Sequence, residues 1–521
     1  MTKSGADALG SLSNLAGNVG SLTGWRRAGT AFLAGGLAAA ALPPVYILPA
    51  LLISFPIFLW LIEASLSWKQ AFGDGWWFGF GHFIAGLYWI GFSLLVDADR
   101  FAWLYPFAVL CIPAVIALYT GIIAVLARLA PAGVACVIAL ASVWTLIEWA
   151  RGLLFTGFPW NSIGIVWTAT DATMQFAAMG GMYGLSFLTV LVGASPGVLA
   201  QDRGSKRMIL PALSLIIVGL LWAGGTLRLT NAETGVVPGV TLRIVQPNIA
   251  QALKWHPDYR DQHLATLLRL SSAPSERPIT HLIWPESAVP FIVAADSARR
   301  RVMASVIKSD GLLLTGAIRT TPRGTQPYQV WNSFHAINNK AEIVATYDKF
   351  HLVPFGEYVP FRRWVGIIKL TAGRTDISAG TGPKTLRLPG LPPFSPLICY
   401  EVIFPDNVTE FNSSARWLLN VTNDAWFGTS SGPYQHFAMA RLRSVEQGLP
   451  LIRVANTGIS AATDAYGQVT GRLGLNEQGV VDTGLPRGLV GLTLFARSGS
   501  WPIMIFAALS FLLIICRRWS L

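Results

Sequence analysis

Three stretches of this 521-residue chain place a reactive side chain directly after a β-favouring apolar run. Leu397-Ile398-Cys399-Tyr400-Glu401 supplies a thiol, and His281-Leu282-Ile283-Trp284-Pro285-Glu286 supplies a carboxylate. Ala345-Thr346-Tyr347-Asp348-Lys349 supplies an amine, followed by a second carboxylate at Glu357. A thiol attacks well only once ionised, so it needs a base within hydrogen-bond reach. Acyl chemistry on that thiol passes through an oxyanion, which a fixed cation stabilises. Each residue also has a bland reading. A free cysteine is commonly a buried hydrophobe, Glu286 after a proline suits a surface turn, and Lys349 suits a solvated charge. The spacing alone does not decide between these readings.

The elements that must hold these groups lie in the stretch 240–490, whose composition is that of an ordinary soluble domain. Short β-rich runs are expected at 240–247, 280–285, 312–319, 331–338, 342–348, 395–400, 415–422, 450–456 and 459–465. Helical stretches are expected at 257–271, 294–309 and 433–447. Alternating strands and helices predict a layered α/β domain, in which polar residues at strand ends commonly carry the chemistry. No G-x-G-x-x-G follows the first strand and no Walker A sequence occurs, which argues against dinucleotide or P-loop nucleotide binding. Cys399 is the only cysteine of this stretch. Cys111, Cys136 and Cys516 lie in apolar segments. The domain therefore has no internal disulfide and no zinc-ligand spacing, and we expect no metal and no cofactor.

The rest of the chain is of a different kind. Hydrophobic residues make up 52% and charged residues only 13%, with mean hydropathy +0.49. A soluble protein carries nearly twice that charged fraction. Eight apolar stretches approach the length that crosses a bilayer, at about 25–42, 45–66, 71–96, 102–128, 132–150, 174–200, 208–228 and 499–516. With the N-terminus inside, the inner segments carry Lys3, Arg26, Arg27, Lys69, Arg128, Arg203, Lys206, Arg207, Arg517 and Arg518. The outer loops carry only Arg100, Arg151 and Arg228. That positive-inside bias predicts an extracytoplasmic α/β domain and two cytoplasmic termini. The net charge of +12 is thus largely topological, and no basic run interleaved with aromatics suggests nucleic acid. Expected boundaries are a disordered tail at 1–24, a seven-helix membrane domain at 25–230, the α/β domain at 231–495, and a closing helix with a cytoplasmic tail at 496–521. Glu63, His82, Glu148 and Asn161 fall in or beside the spans. They form no repeated proton relay of the kind a pump needs.

Taken together, Trp284-Pro285-Glu286-Ser287, Tyr347-Asp348-Lys349 with Pro354-Phe355-Gly356-Glu357-Tyr358, and Ile398-Cys399-Tyr400-Glu401 resemble the three catalytic motifs of the nitrilase, or carbon–nitrogen hydrolase, superfamily. They occur in that superfamily's order of Glu, Lys, Cys. With the flanking spans, residues 25–516 resemble the bacterial apolipoprotein N-acyltransferases. Further matching stretches include Gln246-Pro247-Asn248, Lys254-Trp255, Asn423 to Gly428, and His436 to Gly458. Pro247 departs from the glycine expected at that point in many relatives.

The resemblance implies an αββα sandwich and a two-step acyl transfer across the bacterial inner membrane's periplasmic face. The acyl donor would be a membrane phospholipid and the acceptor a diacylglyceryl apolipoprotein. It gives Cys399, Glu286 and Lys349 the roles of nucleophile, base and oxyanion cation. Glu357, Tyr400 and Glu401 become supporting residues, and Trp255, Trp426 and Phe427 candidate substrate contacts. The alternative reading is a membrane-tethered nitrilase-type amidase acting on small amides.

Overall fold

The computed structural model describes residues 3–200, 205–308, 310–322, 324–360 and 375–519. Arg203, one of the inner-segment basic residues, lies outside them. The chain divides into two compact units, one formed by Met1–Gly91, Trp103–Asn231 and Ser498–Leu521 and the other by Phe92–Ala102 and Ala232–Arg497.

The first unit is helical. Helices occur at all eight expected positions, and among the described residues five of the helical segments are long and apolar enough to cross a membrane: Trp68–Leu95, Ala98–Ala127, Val134–Thr156, Thr173–Ala200 and Ile209–Thr230. The helices Gly24–Ala39 and Leu51–Glu63 have 16 and 13 residues. At a rise of about 1.5 Å per residue, each is shorter than a hydrocarbon core of about 30 Å. Ile209–Thr230 exposes Leu213, Leu215, Ile216, Leu220 and Trp222, an apolar surface suited to lipid rather than water. Helix crossings are made by glycine. A side chain on Gly35 would collide with the Phe78 carbonyl, and one on Gly81 with that of Phe32, so only hydrogen allows the two backbones this approach.

Two of the polar residues singled out in the sequence are hydrogen-bonded within this unit. Glu148 accepts from Trp144 Nε1 (2.9 Å), the Ile163 N–H (2.8 Å) and Ser186 Oγ (2.6 Å). Glu63 accepts from the Gly133 N–H at 2.8 Å. The expected N-terminal tail is instead a helix, Lys3–Ser21. Its Leu12, Ala16, Val19 and Gly20 are its more buried positions, a spacing that repeats with the helical turn. That stripe was hidden among small polar residues.

Among its described residues the second unit contains eleven strands: β1 (Val236–Gln246), β2 (His281–Ile283), β3 (Leu312–Thr320), β4 (Val330–Asn338), β5 (Ile343–Asp348), β6 (Phe394–Ile398), β7 (Trp417–Thr422), β8 (Leu451–Ala455), β9 (Ser460–Thr463), β10 (Val469–Leu473) and β11 (Gly479–Pro486). They form two sheets, ordered β11-β1-β2-β3-β4-β5 and β10-β9-β8-β7-β6. Both sheets repeat one pattern: β1, β2 and β3 run parallel and then turn antiparallel through β4 and β5, as β6, β7 and β8 do through β9 and β10. Strands β10 and β11 were not expected, because their glycines and half-exposed positions give little apolar signal.

Side chains that alternate along each strand create three layers of contact. Leu242, Ile244, Ile283, Leu314, Phe334 and Tyr347 face Phe394, Ile398, Trp417, Leu419, Val421, Ile452 and Val454 between the sheets. Val245, Leu282, Trp284 and Leu313 face outward onto Leu264 and Leu267 of helix Arg260–Ser271 and Met303 of helix Ser297–Ala304. Helix Gly432–Gln447 covers the second sheet, with Phe437 against Ile459 and Ala461. The result is helix, sheet, sheet, helix.

Candidate active site

Glu286 lies beyond the end of β2, where the chain stays bound to β3. Trp284 N–H donates to the Leu314 carbonyl (2.9 Å), Gly316 N–H to the Pro285 carbonyl (3.1 Å), and Ala288 N–H to the Gly316 carbonyl (2.9 Å). A Cβ at Gly316 would lie 2.6 Å from Glu286 Cα, so glycine is what lets the carboxylate-bearing turn sit this close to the strand. Ser287 takes a positive φ of 44° to make that turn.

Lys349 leaves β5 with its N–H donating to the Asn332 carbonyl of β4 at 2.9 Å. Its buried ammonium lies 2.8 Å from Glu357 Oε2 and 3.9 Å from Glu286 Oε1. Asn332 bridges the same two carboxylates, its Nδ2 donating to Glu286 Oε1 (2.7 Å) and Glu357 Oε1 (3.0 Å). The Val353 N–H fixes Glu357 Oε2 at 2.8 Å. Burial raises the Glu286 pKa, Lys349 opposes that rise, and Glu357 adds to it. Burial also disfavours charge on Lys349, but Glu357 and Glu286 outweigh it and raise its pKa. The lysine therefore stays charged while Glu286 is the carboxylate made ready to hold a proton.

Cys399 opens a 3-10 turn, Cys399–Ile403, with φ of 50°. A positive φ is costly for a residue with a Cβ, and the surroundings hold this one in place. Its carbonyl accepts from His436 Nε2 (3.2 Å) and Asn420 Nδ2 (3.4 Å). His436 is backed by Asp424 at 2.9 Å, and Arg453 reaches Asp424 at 2.7 Å and also bonds Asn420. Burial, then Glu286, push the thiol pKa up, while Lys349 pulls it down. The resting group is a thiol whose proton must go to a neighbour before sulfur can attack.

Glu401, expected as a supporting residue, is fully buried. Its Oε2 accepts the Ile398 N–H at 2.7 Å, and its Oε1 accepts the N–H groups of Phe350 (2.8 Å) and His351 (3.3 Å). The Tyr347 hydroxyl donates to it at 3.0 Å. Glu401 thus ties the turn of the thiol to the strand end of the amine. Burial pushes its pKa up to about 7 against these bonds.

Tyr400 is buried, with its ring edge-on to Phe404 at 5.1 Å. Trp255 is 38% exposed, and Trp426 and Phe427 are half-buried. Phe427 also meets His436 edge-on at 5.9 Å. Lys254, which the sequence presented only as part of a matching stretch, is buried with its Nζ donating to the Glu286 carbonyl at 3.1 Å. Asn332 was missed altogether. It lies inside a strand run with nothing local to mark it, and only the pairing of β4 with β5 brings it beside Lys349.

Comparisons with known proteins cover both units. The "Apolipoprotein N-acyltransferase N-terminal domain" family model matches residues 34–195, and the "Carbon-nitrogen hydrolase" model matches residues 241–493. The apolipoprotein N-acyltransferase of Rhodopseudomonas palustris is 42% identical over 530 residues, covering 98% of each chain. That of Brucella suis is 41% identical over 495 residues, covering 91% of this chain and 92% of its own. An amidase crystal structure from Nesterenkonia sp. covers 48% of this chain and 92% of its own at 20% identity and a TM-score of 0.35.

Proposed function

This chain belongs to the apolipoprotein N-acyltransferases, and from that premise we propose that Cys399, Glu286 and Lys349 carry a two-step acyl transfer from phospholipid to lipoprotein. Glu286 takes the thiol proton, and the sulfur attacks the ester carbonyl of a phospholipid acyl chain. The ester C–O bond breaks, the lysophospholipid alcohol receives the proton from Glu286, and a thioester remains on Cys399. The acceptor is the α-amine of an S-diacylglyceryl-cysteine at a lipoprotein N-terminus. Glu286 takes one of its protons and releases it to solvent before the nitrogen attacks the thioester. As the C–S bond breaks, a second proton passes through Glu286 to the departing sulfur and leaves an amide.

Both tetrahedral oxyanions are met by the Lys349 ammonium and by the backbone N–H of Tyr400. Such fixed donors in a dry site contribute more than the same groups in water. Glu357 holds Lys349 in place. Trp255, Trp426 and Phe427 contact the acyl chains or the acceptor peptide. The observation that carries this reading is the convergence of Lys349 and Asn332 on Glu286 and Glu357, with Glu286 and Lys349 both acting on the Cys399 thiol.

The membrane topology is part of the same reading. Eight spans in the bacterial inner membrane, with both termini cytoplasmic, would leave the catalytic unit periplasmic. The loop charges support this, and so does the chemistry. Both substrates carry acyl chains that leave a bilayer at a cost of about 0.8 kcal/mol per methylene. A thioester enzyme for such substrates works best anchored in the membrane that holds them.

The test incubates the full-length protein in vesicles with acyl-labelled phospholipid and a diacylated lipopeptide. Label should appear on Cys399 as a hydroxylamine-sensitive adduct and then move to the peptide amine. An adduct that persists in Cys399→Ala would end this assignment. Rapid ammonia release from small amides without lipopeptide acylation would favour the amidase reading instead.

A further inference from the structure

Two lysines reach Glu286, from different elements and at different atoms. Lys349 comes from the end of β5 and faces the carboxylate, at 3.9 Å from Oε1. Lys254 comes from the turn after β1 and donates to the main-chain carbonyl of the same residue at 3.1 Å. Lys254 is only 2% exposed. Among the described residues, this carbonyl is the one hydrogen-bond partner of an ammonium that has three donors. A buried lysine with so few bonds is not explained by its hydrogen bonding alone.

Its position is built. The Lys254 N–H bonds the Gln251 carbonyl at 3.3 Å, and Gln251 Oε1 accepts from Asn423 Nδ2 at 2.7 Å. Asn456 donates to Asn423 at 3.0 Å and clasps the backbone of Ile249 through both N–H and carbonyl, at 3.0 and 2.8 Å. Three side-chain amides therefore fix the loop that delivers this one cation.

The reason for the cation lies in the charge balance. Leaving Lys254 aside, Lys349 is the cation that faces Glu286 and Glu357 while Glu286 is ionised, and Cys399 and Glu357 once the thiol proton has moved to Glu286. In both states at least two negative charges meet that one positive charge, which also acts on the buried Glu401, and an uncompensated buried charge is expensive. Asp424, which also acts on the thiol, is taken up by Arg453 and His436. The charged groups acting on Lys254 are Glu286 and Cys399.

We propose that Lys254 is a positioning residue for acyl transfer, anchoring the Glu286 turn by its carbonyl and supplying the second positive charge that lets the Cys399 thiolate form beside Glu286 and Glu357. Burial brings its own pKa down to about 8, with Glu286 and Cys399 opposing that fall, so the ammonium is retained at neutral pH.

The proposal rests on Cys399 as nucleophile and Glu286 as base, and the experiment separates the two. Full-length protein in detergent micelles is alkylated with iodoacetamide across pH 5–10, with Cys399 read by peptide mass spectrometry. Thioacyl formation from labelled phospholipid is timed in parallel. Lys254→Met keeps the aliphatic stem and removes the charge. It should slow Cys399 alkylation at pH 7 by about tenfold, the effect of about one pKa unit on the thiolate fraction. Thioacyl formation should slow to match, with both deficits closing above about pH 8 as the wild-type ammonium loses its proton. Lys254→Arg should keep the wild-type alkylation rate at pH 7. Lys254→Gln replaces the Met variant if that protein does not fold. An unchanged alkylation rate at pH 7 in the uncharged variant overturns the proposal. So does an equal, pH-independent loss in the Met and Arg variants, which would mark a purely structural role. Wild-type label found on a residue other than Cys399 would instead remove the underlying triad.

Discussion

Lys349 Nζ lies 2.8 Å from Glu357 Oε2, and neither side chain is more than 12% exposed. The ion pair belongs to Glu357, which leaves Glu286 as the carboxylate able to exchange a proton. Glu357→Gln keeps the shape and removes the charge. Lys349 should then swing toward Glu286 and hold it ionised, slowing thioacyl formation by about 10²-fold while the protein still folds. Single-turnover labelling with phospholipid checks this. A rate within twofold of wild type would remove Glu357 from its role.

Asn332 bonds both carboxylates through one amide. A hydrogen bond to a charged group contributes about 1.5–3 kcal/mol, so Asn332→Ala should cost about 10- to 100-fold in thioacyl formation. Asn332→Asp should cost more than alanine does, because it sets a third negative charge against Glu286 and Glu357. Steady-state acyl transfer to a diacylated lipopeptide, compared across the two variants, gives the order.

The thiol pKa is raised by burial and by Glu286 and lowered by Lys349, so the two neighbours should move it in opposite senses. Removing the negative neighbour in Glu286→Gln should shift Cys399 alkylation to lower pH while abolishing acyl transfer. Removing the positive one in Lys349→Met should shift it to higher pH and also abolish transfer. Reactivity toward iodoacetamide and catalysis thereby part company in the glutamine variant. Peptide-resolved alkylation against pH is the measurement.

Gly316 has no room for a methyl group beside Glu286 Cα. Overpacking of this kind costs about 1–3 kcal/mol, and here the displaced atoms carry the base. Gly316→Ala should lower thioacyl formation by more than tenfold while shifting the thermal unfolding midpoint by only a few degrees. An unaltered rate would show that the turn can yield without disturbing the carboxylate.

The strand-end residues were legible in the sequence because each combines a β-favouring run with an abrupt polar residue, and β2, β5 and β6 do end at or beside Glu286, Lys349 and Cys399. What stayed hidden depended on pairing between distant segments. Asn332 stands near the start of β4 and gains its meaning only from its position beside Lys349. Glu401 lies within the cysteine turn itself, and nothing near it in sequence shows what it bonds. Its four backbone and side-chain donors come largely from residues 347–351, about fifty positions away. The N-terminal helix was obscured by glycine and serine, whose weak helical preference masks a narrow apolar stripe.

Glu401 has a further consequence, because the segments it joins belong to different sheets. Lys349 follows β5 at the edge of one, and Cys399 follows β6 at the edge of the other. The gap between sulfur and ammonium is thus an intersheet spacing, set by Phe334, Phe394 and Trp417 in the shared core. In the language of machines, the sandwich works as a calliper and Glu401 as its set-screw. A repacking deep in the core that slid one sheet along the other would be registered as lost turnover, although every reactive group kept its own rotamer.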